Sequence, residues 1–236
     1  MSRAVTYGTS GADNLTAYYA PTGQSGFLGD GNDGYQGSQF ADTINLEAGD
    51  DYVSAYGGND TLDGGLGNDT LYGNDGNDTL RGADGADTIG AGTGNDTVTG
   101  GTGNDTISDE GGTDTYLFAK GWGADVIAES GSDLADVIQF TDVASTEVSF
   151  ERRADNLVLK RGTSGDQITL NNFYGYYYYY PSIYAPAQVE QFRFTDTTLD
   201  ANAVMSRAVT YGTSGADSLT AYYAPTGQSG FLGDGN

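Results

Sequence analysis

The sequence predicts an all-β fold, and three observations support this prediction. Ten aspartates follow one another at a constant interval of nine residues, from Asp33 to Asp114. An apolar or aromatic residue stands two positions after each of these aspartates. From Thr115 onward the chain consists of short apolar or alternating runs separated by Gly, Asp and Asn, and no segment has a convincing helical period.

Each nine-residue unit combines a turn with a short strand. Gly64–Tyr72 reads GGLGNDTLY, and Gly100–Ser108 reads GGTGNDTIS. Glycine tolerates left-handed backbone angles, so the turn can curl its carbonyls inward, and the aspartate adds a charged oxygen to them. In the strand Leu71 points inward while its neighbours point outward. The inward positions are Tyr35, Ile44, Val53, Leu62, Leu71, Leu80, Ile89, Val98, Ile107 and Tyr116. This core is too thin to hold the chain by itself.

The charge and the missing residue types exclude several functions. The chain has 33 acidic and 9 basic residues, a formal net charge of −24, no cysteine and no histidine. These absences exclude disulfides, thiolate zinc sites, Ser-His-Asp triads and HExxH metalloprotease helices. The negative charge argues against nucleic acid and anionic lipid as partners. It favours a hard cation such as Ca²⁺, which prefers carboxylate and carbonyl oxygens.

The composition also indicates whether the chain is ordered and whether it inserts into a membrane. The 38 glycines and the charge suggest disorder, but aromatic residues make up 12% of the chain and the glycines are periodic. No run of 18 apolar residues exists, so we expect no membrane insertion. Met1 is not followed by a basic and then an apolar stretch, so no secretory signal peptide is predicted.

A second repeat operates on a much larger scale. Residues 205–236 copy residues 1–32 at an offset of 204, and only Asn14 against Ser218 differs. The simplest interpretation is a tandem array with a 204-residue unit, of which the chain holds one whole copy and the start of the next. The alternatives are a cloning artefact and a circularly closed repeat. The expected partners are therefore neighbouring copies of the same repeat, joined head to tail.

The nonapeptide resembles the GGxGxDxUx repeat of RTX (repeats-in-toxin) proteins. The resemblance implies a right-handed parallel β-roll, a β-solenoid with two nonapeptides per coil, so the ten repeats would form five coils. It implies Ca²⁺ between turns on the same edge, with aspartates paired 18 residues apart and up to about eight ions. The implied metal-site residues are Asp33, Asp51, Asp60, Gly64, Gly65, Leu66, Gly67, Asp69, Gly73, Asn74, Asp75, Gly76, Asp78, Gly82, Ala83, Asp84, Gly85, Asp87, Gly92, Thr93, Gly94, Asp96, Gly100, Gly101, Thr102, Gly103, Asp105 and Asp114.

Some turns depart from this pattern. Phe40 stands where a glycine is expected, so the site around Asp42 should be weak or absent, because phenylalanine is strained in a left-handed conformation. The outer turns, among them Asp109–Asp114 (DEGGTD), look like caps. Gly8–Thr16 matches one nonapeptide but is out of phase, so Asp13 is either a ligand of an initial coil with an inserted loop or part of a bridge.

The second half is similar to the haemolysin-type calcium-binding-related region that follows RTX rolls. The similarity covers about 114–201 and implies that the roll continues into a β-rich capping module. Asp125, Asp133 and Asp136 could share an ion there or form a solvated acidic loop. We therefore divide the chain into an initial segment 1–28, a calcium-binding β-roll 29–118, a β-rich module 119–204 and the start of the next copy at 205–236.

A tyrosine-rich strip interrupts this module. Five consecutive tyrosines cannot all face one core in a strand, so some rings contact solvent, another unit or a glycan. An edge hairpin packed on its own domain is the alternative. The candidate interface residues are Tyr176, Tyr177, Tyr178, Tyr179 and Tyr180.

The function expected from the sequence is structural and non-enzymatic. The chain would be a calcium-dependent repeat of a large secreted bacterial surface protein, such as an adhesin, surface layer or motility filament, exported by type I secretion and folded outside the cell. One alternative is a module that binds a glycan or cell surface through the tyrosine strip. Another is the secretion module of an RTX hydrolase, although the chain has no nucleophile-elbow motif.

Overall fold

Two sheets wound from alternating strands form a parallel β-solenoid of about six coils. The computed structural model describes residues 4–7, 14–16, 24–130, 135–174, 189–211 and 230–231. The strands are β1 (Ala4–Tyr7), β2 (Asn14–Thr16), β3 (Gln24–Phe27), β4 (Gly34–Gln36), β5 (Thr43–Asn45), β6 (Tyr52–Ser54), β7 (Thr61–Leu66), β8 (Thr70–Asp75), β9 (Thr79–Asp84), β10 (Thr88–Thr93), β11 (Thr97–Thr102), β12 (Thr106–Asp109), β13 (Thr115–Phe118), β14 (Ala124–Glu129), β15 (Val137–Phe140), β16 (Val148–Arg153), β17 (Asn156–Arg161), β18 (Gln167–Leu170), β19 (Gln191–Arg193), β20 (Thr198–Asp200), β21 (Val209–Tyr211) and β22 (Gly230–Phe231). A 3₁₀ turn spans Ser145–Glu147, and helix α1 spans Ala201–Arg207.

The odd-numbered and even-numbered strands of the roll belong to different sheets. The ten-stranded sheet has the order β1-β3-β5-β7-β9-β11-β13-β15-β19-β20. The twelve-stranded sheet has the order β2-β4-β6-β8-β10-β12-β14-β18-β17-β16-β21-β22. Each turn therefore carries the chain from one sheet to the other, as the nonapeptide period predicts. This confirms the predicted β-roll.

The core lies between the two sheets as stacked rows of apolar side chains. Leu62 pairs with Leu80, and Leu80 with Val98, each 18 residues apart in the ten-stranded sheet. Leu71 and Ile89 form the corresponding row in the other sheet. All five side chains are at most 1% exposed. The six-residue strands also bury a second, small residue, such as Gly64 in β7 and Ala91 in β10.

The roll continues beyond the ten nonapeptides, as expected. β14 and β15 pair in parallel with β12 and β13 of the last regular coil. β18 and β19 then pair in parallel with β14 and β15. The end of the roll is built from antiparallel pairs, in which β17 joins β16 to β18 and β20 pairs with β19. The roll thus has more coils than the five expected from the nonapeptides alone.

Aromatic side chains fill the wider core of this second half. Trp122 is 1% exposed and packs edge-on against Phe118, with ring centroids 5.8 Å apart. Phe140 lies 5.5 Å from Trp122 and stacks on Phe194 at 4.7 Å. Such contacts contribute beyond their buried area. The core of the second half is thus mainly aromatic, whereas that of the first half is mainly aliphatic.

The out-of-phase motif at the start of the chain also enters the roll. Asn14 pairs with Gly34 and Leu15 with Tyr35, an interval of 20 rather than 18 residues. Asp13, Asp133 and the five tyrosines Tyr176–Tyr180 lie outside the described residues. Within the described ranges, no helix has the length and apolar character that a membrane span requires.

Candidate metal centre

Two ladders of buried aspartates run along opposite edges of the roll. The aspartates of one ladder precede strands of the twelve-stranded sheet, and those of the other precede strands of the ten-stranded sheet. In both, the backbone N–H of one aspartate donates to Oδ1 of the aspartate in the next coil, at 2.6 to 2.9 Å. Every member is at most 4% exposed. The first ladder comprises Asp33, Asp51, Asp69, Asp87, Asp105 and Asp125, and the second comprises Asp42, Asp60, Asp78, Asp96, Asp114 and Asp136.

The second carboxylate oxygen of the ladder aspartates faces into its own turn. A Cβ built on Gly64 would collide with Oδ2 of Asp69 and lie 2.7 Å from the carbonyl oxygen of Gly82. The same cradle recurs at Gly82, where a Cβ would meet Oδ2 of Asp87 and lie 2.6 Å from the Gly100 carbonyl oxygen. A carboxylate oxygen and a carbonyl of the next coil thus converge over a residue that has no side chain.

Most of these inward oxygens have no protein partner. Oδ2 is buried without a hydrogen bond in Asp51, Asp60, Asp69, Asp78, Asp87, Asp96, Asp105 and Asp125. Within the described parts of the chain, no lysine or arginine forms an ion pair with these eight residues. A buried, unpaired carboxylate oxygen is costly unless something coordinates it. The oxygen-only donor set fits a hard cation such as Ca²⁺.

Left-handed backbone angles let each turn curl in this way. Gly85 has φ 144°, and a Cβ there would strike the carbonyl of Gly67 in the preceding coil. Two non-glycine residues near the ends of β8 and β9, Asn74 and Ala83, also have positive φ, at 71° and 88°. Of the predicted turn residues, Gly67, Gly76, Gly85, Gly94 and Gly103 lie in turns. The others were wrongly assigned to turns, because each strand continues past its predicted end through them: Gly64, Gly65, Leu66, Gly73, Asn74, Asp75, Gly82, Ala83, Asp84, Gly92, Thr93, Gly100, Gly101 and Thr102.

Polar side chains at the ends of these strands form contacts between coils. The exposed carboxylates of Asp75 and Asp84 accept hydrogen bonds from the hydroxyls of Thr93 and Thr102, 18 residues later. The side chains of these four residues are therefore occupied, and only their backbone carbonyl oxygens are candidate ligands for a cation near Oδ2 of the ladder aspartates. An exposed hydrogen-bond ladder that was not predicted from the sequence runs next to the aspartates, and in it Oδ1 of Asn77 accepts from the N–H of Asn95. Its signal was the recurrent asparagine before the aspartate.

Burial raises the pKa of the eight ladder carboxyls whose Oδ2 has no hydrogen-bond partner. It is the largest influence on Asp60, Asp69 and Asp96, and with the charges of neighbouring aspartates it brings their pKa to about 7. The hydrogen bond from the backbone N–H of the preceding aspartate lowers the pKa and offsets part of this rise. The ladders therefore hold negative charge poorly without a cation, and a bound cation would favour the ionised form.

Asp42 differs from the other ladder members. Its Oδ2 accepts a hydrogen bond of 2.8 Å from the backbone N–H of Ser38, and its Oδ1 accepts one of 3.1 Å from the Ser38 hydroxyl. Phe40 avoids positive φ and leaves its side chain 47% exposed. The carboxylate is therefore satisfied within its own turn. A weak or absent site around Asp42 therefore stays a prediction, and these hydrogen bonds give it a structural reason.

Asp125 and Asp136 belong to different ladders. Oδ1 of Asp125 accepts from the N–H of Asp105, and Oδ1 of Asp136 from the N–H of Asp114. This placement argues against the alternative in which Asp125 and Asp136 share one ion. Each instead extends one edge by a further coil, at intervals of 20 and 22 residues. The longer intervals broke the nonapeptide phase and hid this relationship in the sequence.

Further acids collect at the C-terminal end of the second ladder. Carboxylate oxygens of Asp96, Asp109 and Asp114 lie within 4.8 Å of one another, as do those of Asp114, Glu129 and Asp136. Asp109 corresponds to the cradle glycine of a regular turn, and Glu129 pairs with it in the next strand. Asp109–Asp114 looks like a cap in the sequence, and neither Asp109 nor Glu129 was predicted as a ligand. Burial, followed by the charges of neighbouring acids, raises the pKa of Glu129 to about 10.

Comparison with known proteins places family matches on both halves of the chain. Residues 27–62, 54–89 and 90–127 match the RTX calcium-binding nonapeptide repeat, and residues 156–203 match the haemolysin-type calcium binding protein related domain. The iron-regulated protein FrpA of Neisseria meningitidis serogroup C is 34% identical over 122 residues, which is 50% of this chain and 10% of FrpA. The chain thus spans about a tenth of the length of this relative.

A similar solved structure is the extracellular lipase LipA of Serratia marcescens. It has a TM-score of 0.31 at 18% identity, and the match covers 72% of this chain and 38% of the lipase.

RTX repeats bind Ca²⁺ as structural elements, and proteins that carry them are typically secreted. Residues 27–127 are therefore RTX calcium-binding nonapeptide repeats, and residues 156–203 form a haemolysin-type calcium-binding related domain.

Proposed function

We propose that the chain is a calcium-dependent structural repeat of a large secreted bacterial surface protein, such as an adhesin, surface layer or filament. The observation that carries this proposal is the pair of aspartate ladders with buried, unpartnered oxygens. Copies of the 204-residue unit would join head to tail and form an extended fibre. The role is structural, because the buried aspartates are committed to the ladders.

The proposed mechanism couples folding to the binding of Ca²⁺. Without the ion, buried carboxylates in neighbouring coils repel one another and lose hydration. The glycine-rich turns also lose much chain entropy when they become ordered. An ion that binds only the folded chain stabilises it by mass action. Eight ions would add +16 and reduce the formal net charge from −24 to about −8.

This coupling suits a protein that is exported before it folds. Extracellular calcium-binding modules have dissociation constants of about 0.1 to 1 mM, which lies well above cytosolic calcium concentrations. The chain would therefore stay unfolded in the cytosol and fold outside the cell. Type I secretion, the route implied by the RTX resemblance, would deliver such an unfolded chain.

Circular dichroism and the fluorescence of Trp122 in chelator and in about 1 mM CaCl₂ test this mechanism. We expect the strand signal and the burial of Trp122 to develop with Ca²⁺ and not with an equal concentration of Mg²⁺. The smaller Mg²⁺ demands a stricter octahedral geometry. A chain that is folded and compact in chelator would refute the proposal.

A pair of matched variants separates site charge from total charge. Asp69→Asn with Asp87→Asn removes two adjacent members of the first ladder, both 1% exposed. Asp63→Asn with Asp84→Asn removes the same charge from side chains on the outer surface. We expect only the ladder pair to raise the calcium concentration needed for folding. Equal effects of the two pairs would show that general acidity, and not the ladders, controls folding.

A further inference from the structure

The start of the second copy is already docked on the first copy. β21 pairs in parallel with β16, with Glu151 opposite Val209 and Arg152 opposite Thr210. β22 then pairs in parallel with β21. β21 and β22 carry the residues that stand 204 positions earlier in β1 and β3. The described residues therefore include the contact between the first copy and the first strand of the second.

The second copy begins with the same strand pairing as the first. Thr6 pairs with Gly26 and Tyr7 with Phe27 in β1 and β3, an interval of 20 residues. Thr210 pairs with Gly230 and Tyr211 with Phe231 in β21 and β22, at the same interval. The docked segment is thus the first pair of strands of a new roll.

The two sheets exchange roles at this junction. β1 and β3 start the ten-stranded sheet, whereas their equivalents β21 and β22 end the twelve-stranded sheet. We infer that β16 of each copy is the docking edge for the first strand of the next copy, so that the twelve-stranded sheet of one copy continues as the ten-stranded sheet of the following copy. This inference rests on the tandem arrangement in the proposed function and names the surface that joins the units.

The connection between the copies is packed against the first copy. Asp200 caps helix α1, its Oδ1 accepting from the N–H of Ala203 at 2.7 Å. Val204 is fully buried and Ala208 is 1% exposed, and Met205 packs against the same core. A helix held by a cap and a buried face fixes the direction in which β21 leaves. The connection between the copies is therefore a helix that packs on the core of the first copy.

The junction also covers strand edges that would otherwise be open. β16 has β17 on one side, paired over Val148–Arg153, and β21 on the other. β1 ends its sheet and has β3 as its neighbour among the described strands. The outer edge of β1 is where β16 of another copy fits. Continuous pairing would protect both edges from wrong partners.

An engineered cross-link in the full chain tests this junction, since the protein has no cysteine. Residues opposite each other in neighbouring strands have Cα atoms about 4.8 Å apart, which a disulfide can bridge. We expect Glu151→Cys with Val209→Cys to form an intramolecular disulfide in the folded chain. The matched control is Ser149→Cys with Val209→Cys, which lies two residues out of register on the same face, and it should cross-link at least about tenfold more slowly.

Equal cross-linking of the two pairs, or none in the first pair, would overturn the inference. The cross-link is read on folded chain, whose strand signal is measured in the same sample. A chain that folds without Ca²⁺ but still cross-links in register would refute the proposed mechanism and leave the junction intact. A chain that folds with Ca²⁺ but fails to cross-link would refute the junction alone.

Discussion

The backbone N–H of Asp60 donates a hydrogen bond of 2.7 Å to Oδ1 of Asp78, which lies one coil further along the roll. This hydrogen bond occupies Oδ1 of Asp78 and joins two coils, whereas Oδ2 of Asp78 is buried and has no hydrogen-bond partner. The same side chain thus holds two coils in register and offers an oxygen to a cation. Register and metal binding are coupled in one residue.

Asp78→Asn should therefore have opposite effects with and without Ca²⁺. The amide keeps an acceptor for the N–H of Asp60 but removes a charge that burial disfavours. We expect the metal-free chain to be as stable as the parent or more stable. In Ca²⁺ we expect roughly tenfold weaker binding at the two gaps that Asp78 borders, because affinity depends on the number of charged ligands. Calorimetric titration and urea unfolding with and without Ca²⁺ measure both effects. Equal destabilisation in the two conditions would contradict the coupling.

Gly85→Ala should destabilise the folded roll by about 2 kcal/mol or more. Its φ of 144° is unfavourable for alanine, and the new Cβ would collide with the carbonyl of Gly67. Gly162→Ala is the matched control, because Gly162 also has positive φ, 47°, but has open space around it. Unfolding of the calcium-saturated chains in urea measures the difference. An equal decrease in the free energy of unfolding for the two variants would show that the collision with the Gly67 carbonyl does not destabilise the roll.

The periodic part of the molecule could be predicted from the sequence, because one coil equals two nonapeptides. The nine-residue interval alone predicts that Leu80 points inward and on which edge of the roll Asp78 lies. Departures from the period could not be predicted in this way. Longer turns precede Asp125 and Asp136, so the count of nine misses that these two aspartates continue the alternation between the two ladders. The docking of β21 on β16 depends on which edge the antiparallel strands leave open, and the residue pattern carries no signal of that.

Leu80→Ala should lower stability without removing a ligand. Leu80 is 1% exposed and lies between Leu62 and Val98 in its row. Truncation of a buried leucine typically costs about 2 to 5 kcal/mol. Thr79→Ala, at the exposed neighbouring position, is the control and should have a small effect. We expect calorimetry on the folded variant to give the same number of bound ions as in the parent. A loss of ions would mean that the core row also positions the ligands.

The stability of the metal-free roll should fall as pH rises. Asp60, Asp69 and Asp96 have a folded pKa of about 7, raised from 3.8 mainly by burial. Because the folded state binds these protons more tightly, the stability that they contribute is complete below the unfolded pKa and is lost as pH rises toward the folded value. We therefore expect a higher urea midpoint at about pH 5 than at about pH 8 in calcium-free buffer.

The pH dependence should reverse in Ca²⁺. Protons then compete with the cation for the same oxygens, so binding strengthens as the carboxyls ionise. Urea midpoints at the same two pH values in saturating Ca²⁺ provide the comparison. A midpoint that changes in the same direction in both buffers would show that the ladder carboxyls do not control the pH response.

Asp166 shows how a buried carboxylate of the second half is stabilised without a cation. It is 6% exposed, and its Oδ2 accepts from Nε of Arg161 at 2.7 Å and from the N–H of Gly121 at 3.1 Å. Burial would raise the pKa of Asp166, but the hydrogen bonds from Arg161 and the two glycine N–H groups outweigh it and hold the pKa below its usual value. The guanidinium group supplies the positive charge that Ca²⁺ would supply in the ladders.

Asp166→Asn should consequently lower the free energy of unfolding by the same amount with and without Ca²⁺. We expect a loss of about 2 to 3 kcal/mol, as is usual for hydrogen bonds to charged groups. Trp122 is a local reporter, because the Arg161 guanidinium lies 5.8 Å from its ring centroid. We expect its fluorescence to show a lower urea midpoint in saturating Ca²⁺ for Asp166→Asn than for the parent. The calcium affinity of the folded variant should match that of the parent, whereas Asp78→Asn should weaken it. Weaker calcium binding in Asp166→Asn would instead indicate that a cation site extends to this turn.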